Sequence, residues 1–261
     1  MAISCLQRAV CVPAHQRGLR VAPKVPVCVS IPASGVKKRL GVAVQDSGAT
    51  TTELAAEFTG STLLQLIGGA APAALAAPAN ALAVMAMIFA FGGASGAHLN
   101  PAVSLMLLLR GKVSSGKAIA YMVAQVAGCV LGALLCTVLI PGVSIGQGLG
   151  APGTFAPAAG LSSIGVFAWE ALMTAALGLV VYGCAVVNSA FKAAAPVGIS
   201  AYVAAAIMTA GAYSGCVINP ARALGPAIVF GMSMSSVAVY VAGQMAGGAL
   251  AAGLAGLIHK E

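Results

Sequence analysis

The chain has 261 residues, 60% of them hydrophobic and only 7% charged, whereas a soluble domain carries about a quarter charged residues. A soluble Ala-rich bundle is excluded because it needs polar helix faces that this sequence lacks. The net charge of +8 does not point to nucleic acid: Arg8, Arg17, Arg20, Lys24, Lys37, Lys38 and Arg39 all precede Asp46, the first acid, and the rest of the chain is close to neutral.

Residues 1–45 are basic, acid-free and rich in Val, Ala, Pro and Cys, with no apolar run long enough to span a bilayer. A basic, acid-poor leader fits an organellar transit peptide, a plastid one in particular. It fits equally a cytosolic tail that obeys the positive-inside rule. The domain division is therefore a leader over residues 1–50 and a membrane domain over 51–261.

The apolar body is divided by Gly, Pro and Ser clusters. Spans are predicted at 51–71, 79–95, 117–140, 163–187, 196–213 and 235–258. Two shorter apolar pieces, 100–109 and 219–230, cannot cross alone, because a crossing takes about 20 residues. Each is predicted to be a half-helix that enters the membrane and stops. Arg110, Lys112, Lys117, Lys192 and Lys260 fall on the same side as the leader, while the loops 72–78 and 141–162 carry no charge. Positive-inside asymmetry places both termini in the cytosol or its topological equivalent. Arg222 is the one charge on the far side. Seven cysteines without CxxC spacing suggest neither a disulfide framework nor a zinc site.

An internal repeat organises this body. A shift of 119 residues carries Ser95-Gly96-Ala97-His98-Leu99-Asn100-Pro101-Ala102 onto Ser214-Gly215-Cys216-Val217-Ile218-Asn219-Pro220-Ala221. The same shift pairs Leu105 with Leu224, Tyr121 with Tyr240, Gln125 with Gln244 and Gly128 with Gly247. Glu57 and Glu170 occupy similar places in the two halves at a shift of 113. Each half, 51–140 and 163–258, reads span, span, half-helix, span. Three spans is an odd number, so the second half inserts upside down, giving an inverted repeat. The predicted fold is all-α, with six transmembrane helices and two re-entrant half-helices that meet near the midplane.

Asn-Pro-Ala is a helix start, with Asn as N-cap and Pro at the first helical position. Asn100 and Asn219, capping through their oxygens, are expected to leave their amide NH₂ groups free to donate to a solute oxygen. The positive ends of the half-helix dipoles lie at the same place and repel cations. Glu57 and Glu170, one acid well inside a span in each half, are assigned to loop support: each carboxyl accepts hydrogen bonds from non-helical backbone N–H groups. A proton relay is the competing role. His98 is expected to fix its loop rather than bind metal, and Gln125 and Gln244 to be interhelical or loop hydrogen bonders.

From Glu53 to Ile258 the chain resembles the major intrinsic protein family, the aquaporins and glycerol facilitators, whose two signature loops are intact here. The resemblance implies an aquaporin-like bundle with one pore per subunit and a homotetramer. It also implies a filter at Asn80, Ile207, Cys216 and Arg222, with Arg222 as the cation-excluding filter arginine. Strict water channels usually carry an aromatic residue at the Asn80 position and His at the Ile207 position, so a wider filter is expected. Glycerol facilitators usually have Asp where Ala223 stands and Pro where Tyr240 stands, so neither subclass is matched well. Cys216 marks a place where thiol reagents are expected to block.

The expected function is a passive channel for water or small uncharged solutes such as glycerol, urea or peroxide, excluding protons and ions. It needs no cofactor and no metal. A secondary transporter is the alternative, since it too uses inverted repeats and broken helices. An enzyme is not indicated: no Ser-His-Asp, HExxH or paired-carboxylate arrangement is present. The chain is expected in a membrane, as a multi-pass protein, in the plastid, plasma membrane or endomembranes.

Overall fold

A computed structural model describes residues 48–187 and 190–259; the leader expected over residues 1–50 lies, up to residue 47, outside the described residues. Eight α-helices follow in chain order: α1 (Thr51–Ala70), α2 (Ala76–Ser95), α3 (Pro101–Leu109), α4 (Ser115–Leu139), α5 (Ser163–Val181), α6 (Ala195–Ala210), α7 (Pro220–Phe230) and α8 (Met234–Ile258). Helix α5 continues as a π-helical turn over Tyr182–Val187. The predicted span, span, half-helix, span order holds in both halves. The boundaries move by a few residues: α2 begins three residues early, and α6 ends at Ala210 rather than 213.

Local chemistry explains where helices start. Thr50 and Glu53 form a reciprocal capping box at α1. Ser114 caps α4 through the Lys117 N–H, and Ser162 caps α5 through the Gly165 N–H. Five helical segments are long and apolar enough to cross a membrane by length and composition. Helix α1, at 20 residues, is the sixth long helix. Its polar Glu57, Ser61 and Gln65 lower its hydropathy, yet all three are fully buried. They recur every fourth residue and face inward, away from the lipid side of α1.

Helices α1 and α4 pack together, as do α5 and α8. Glycine permits both crossings. A Cβ at Gly128 of α4 would overlap the Phe58 carbonyl, and one at Gly247 of α8 would overlap the Ala171 carbonyl. Small residues let helices approach this closely in lipid. At about 1.5 Å per residue, α3 and α7 are roughly 14 and 17 Å long, so the two end to end make about one hydrocarbon thickness. Each half-helix lies in the core. Val103, Met106 and Leu107 of α3 pack on Ala251, Ala252 and Ala255 of α8. Val229 and Phe230 of α7 pack with Ala133 and Cys136 of α4.

Candidate functional site: two crossed loops at the half-helix starts

The two repeated loops share an unusual backbone. Gly96, Ala97 and Leu99 have φ of +88°, +47° and +52°, and Gly215, Cys216 and Ile218 have +89°, +50° and +45°. Left-handed conformation at a non-glycine residue is strained, most of all at β-branched Ile218. Such strain persists only where the surroundings over-determine it.

Buried carboxylates supply that determination. Glu57 accepts from Ser95 Oγ (2.6 Å), His98 N (2.9 Å), Leu99 N (2.7 Å) and Gln125 Nε2 (2.8 Å). Glu170 accepts from Ser214 Oγ (2.7 Å), Val217 N (3.1 Å), Ile218 N (2.8 Å) and Gln244 Nε2 (2.8 Å). Each carboxyl thus takes four bonds, two per oxygen, which fills its acceptor sites. His98 Nδ1 lies 3.0 Å from Ser104 Oγ, and its ring meets Tyr121 edge-on at 4.9 Å. Tyr121 in turn donates to the Ser95 carbonyl. Glu57 and Glu170 thus hold the loops directly, the His98 ring braces its loop against Ser104 and Tyr121, and Gln125 and Gln244 reach the loops only through the carboxyls they donate to. Among the described residues no group of three or more His, Cys, Asp and Glu side chains comes together in a way that would hold a metal ion.

Asn100 caps α3 by accepting from Ala102 N at 2.9 Å, and Asn219 caps α7 by accepting from Ala221 N at 3.0 Å and Arg222 N at 3.4 Å. Pro101 and Pro220 stand at the first helical positions. The amide nitrogens are not wholly free, which corrects the sequence expectation. Asn100 Nδ2 donates to the Ile218 carbonyl and Asn219 Nδ2 to the Leu99 carbonyl, each at 2.8 Å. An amide has two N–H donors, so one of each pair ties the loops together and one remains.

A cavity of about 910 Å³ runs past both asparagines. Thr154, Phe155, Lys112 and Lys192 are among its lining residues. Asn80, Ile207, Cys216 and Arg222 all line it, so the structure brings the four expected filter positions to one cavity. Arg222 Nη2 donates to Asn80 Oδ1 at 2.9 Å, and its Nη1 donates to Gln65 Oε1 at 3.0 Å.

A model of one family, described as "Major intrinsic protein", matches residues 44–256. The chain belongs to the major intrinsic protein family. The chain is similar to "Probable aquaporin TIP3-2" of Arabidopsis thaliana, 38% identical over 180 residues, covering 68% of this chain and 64% of that protein. It is likewise similar to "Aquaporin TIP1-2" of Zea mays, 36% identical over 71% of each chain. The fold matches that of the aquaglyceroporin from Plasmodium falciparum, with a TM-score of 0.69, 22% identity, and coverage of 79% of this chain and 96% of that one. The chain thus spans just under two thirds of the first of these relatives. It is an integral, multi-pass membrane protein of the major intrinsic protein family, with the family's fold.

Sequence reasoning missed Gln65, Gly68 and the two loop serines. Ser95 and Ser214 stand inside the repeated motif, and the shift of 119 was enough to mark them. Gln65 follows Glu57 and Ser61 at helical spacing, a polar stripe that itself signals a buried face. Gly68 leaves space for Asn80, since a Cβ there would collide with Asn80 Oδ1.

Proposed function

We propose that this protein is a passive channel for water and small uncharged solutes, and that it excludes protons and ions. The crossed asparagines carry the proposal. They set two helix N-termini together on a cavity that both asparagines line. The dipole ends bring partial positive charge, about half an elementary charge per helix. The remaining Asn N–H donors offer a hydrogen bond to a passing oxygen. Arg222 adds a full positive charge on the same path. A neutral molecule that exchanges hydrogen bonds passes, and a cation meets a barrier.

The filter in this proposal is Asn80, Ile207, Cys216 and Arg222. The relatives named aquaporins support water as a solute. Asn80 and Ile207, where aromatic and His residues are expected in strict water channels, favour solutes larger than water as well. A proton-coupled transporter is less well supported, because both membrane carboxyls have their acceptor sites filled by loop donors and a helix glutamine each. The working assembly in this reading is a homotetramer with one pore per subunit and no cofactor or bond chemistry. The basic residues 1–50 form a leader to the channel domain 51–261. It serves either as import signal, to a plastid in particular, or as cytosolic tail; N-terminal sequencing of the mature protein decides.

Stopped-flow light scattering of proteoliposomes, run in parallel with water, glycerol, urea and peroxide, tests the function. The expected outcome is flux above the lipid background with low activation energy and no dependence on a proton or sodium gradient. Gradient-dependent uptake would favour the transporter, and no flux of any solute would sink the channel.

A further inference from the structure

The polar groups that build the loops come in pairs: Glu57 with Glu170, Ser95 with Ser214, Asn100 with Asn219, Gln125 with Gln244. Gln65, Asn80 and Arg222 have no such counterparts. The shift of 113 carries Gln65 onto Gly178, and the shift of 119 carries Asn80 onto Ile199 and Val103 onto Arg222. Asn80 and Arg222 line the cavity, Gln65 is bonded to Arg222 behind them, and the three depart from the repeat as a group.

Their geometry is that of a clamp. Arg222 Nη1 donates to Gln65 Oε1 at 3.0 Å and reaches the Gln65 and Leu64 carbonyls at 3.4 and 3.5 Å. Its Nη2 donates to Asn80 Oδ1 at 2.9 Å. Asn80 is itself anchored, since its Nδ2 donates to the Ala76 carbonyl at 2.8 Å. Gln65 is fully buried on α1. Every acceptor is uncharged, so the guanidinium is oriented by charge-assisted hydrogen bonds while its positive charge stays unpaired by any of them. Ile207 and Cys216 line the same cavity as Arg222.

We propose that Gln65 is a positioning residue for Arg222: with Asn80 it holds the guanidinium against α1 and α2 and keeps the lumen beside Ile207 and Cys216 clear for solutes wider than water. This rests on the channel function proposed above. Without the Gln65 acceptor the long Arg222 side chain is released on one side and swings into the lumen, where it obstructs a larger solute more than water.

The test is Gln65→Met, which keeps the side-chain length and removes the acceptor. In proteoliposomes the ratio of urea to water permeability falls on the order of threefold or more, the lower range of coupling between contacting residues. Gln65→Glu, which retains an oxygen acceptor, restores the ratio toward wild type. In an Arg222→Val channel the Gln65→Met change has no further effect, since nothing is left to position. An equal fall in the Arg222→Val background, no fall in the Arg222 background, or a wild-type protein that passes water but excludes urea each overturns the proposal. Should Gln65→Met not fold, Gln65→Asn, whose amide is one methylene short, carries the same expectation. A wild-type protein that passes neither solute defeats the channel function instead. The clamp is then judged by thermal unfolding in detergent: Gln65→Met and Arg222→Val together lose less stability than the sum of the single losses, and strictly additive losses overturn it.

Discussion

Asn100 and Asn219 hold one another's loops: each side-chain nitrogen donates to the carbonyl of the residue just before the other, both at 2.8 Å. Each amide therefore caps its own half-helix, ties the opposite loop and keeps one donor. The tie works in both directions, so the two loops are fixed as one unit.

Asn100→Ala removes a cap and a tie together. The expected loss is about 2 kcal/mol, combining a cap of about 1 and a hydrogen bond of about 1. Asn219→Ala loses a similar amount, because its contacts match apart from one longer bond from Arg222 N at 3.4 Å. Thermal unfolding in detergent measures both. Asn100→Ser keeps a capping oxygen but is too short to reach the Ile218 carbonyl, so its unfolding temperature isolates the tie; a wild-type value for Asn100→Ser would show that the tie contributes nothing.

Removing a loop-supporting carboxyl leaves backbone donors buried and unpaired. Glu57→Ala strands the His98 and Leu99 N–H groups, and Glu170→Ala strands those of Val217 and Ile218. At roughly 1–3 kcal/mol for each unsatisfied group, each variant should lose more stability than either asparagine variant. Its flux should fall in step, and any flux that remains should show no dependence on a proton gradient. Intact folding with a selective loss of gradient coupling would instead identify a proton relay.

The helix crossings depend on absent side chains. Gly128→Val and Gly247→Val push a β-branched residue into the Phe58 and Ala171 carbonyls. Overpacking of this kind is expected to destabilise by about 1–3 kcal/mol or more. Gly93, with open space where its Cβ would stand, is the control: Gly93→Ala should match or exceed wild-type stability, since Ala is the better helix former by about 1 kcal/mol. Equal behaviour of all three variants in thermal unfolding would contradict the packing account.

Cys216 is only 3% exposed but lines the cavity beside the second loop. A mercurial reagent is expected to reduce solute flux, and Cys216→Ser to resist it. Equal block of both proteins would move the sensitive thiol elsewhere; Cys129, Cys136 and Cys184 are the other free thiols among the described residues.

Much of this architecture was legible because periodicity and repetition report on backbone. Asn-Pro fixes a helix start wherever it occurs, and a repeated Asn-Pro-Ala in apolar sequence leaves few topologies open. Glu57 and Glu170 were readable for a related reason: a carboxyl in lipid must be satisfied, and the loops hold the nearest unpaired donors. Side-chain direction was not legible. Nothing in the order of residues told that the asparagine amides reach across to Ile218 and Leu99, or that Asn80 turns toward Arg222. Those contacts join residues 118, 120 and 142 positions apart. The polar stripe marks Gln65 as buried but says nothing of its partner Arg222, which lies 157 positions further along the chain.

The crossing of the loops also bears on how the protein is made. Half-helix α3 packs on α8, and α7 packs on α4, so each half is finished by the closing helix of the other. While the ribosome has delivered only the first half, Asn100 Nδ2 and the Leu99 carbonyl lack their partners and α3 lacks the surface of α8. The nascent first half is thus an unfinished intermediate, not an independent folding unit. Maturation waits for Asn219 and α8 to insert, and quality control has a natural checkpoint at that late step.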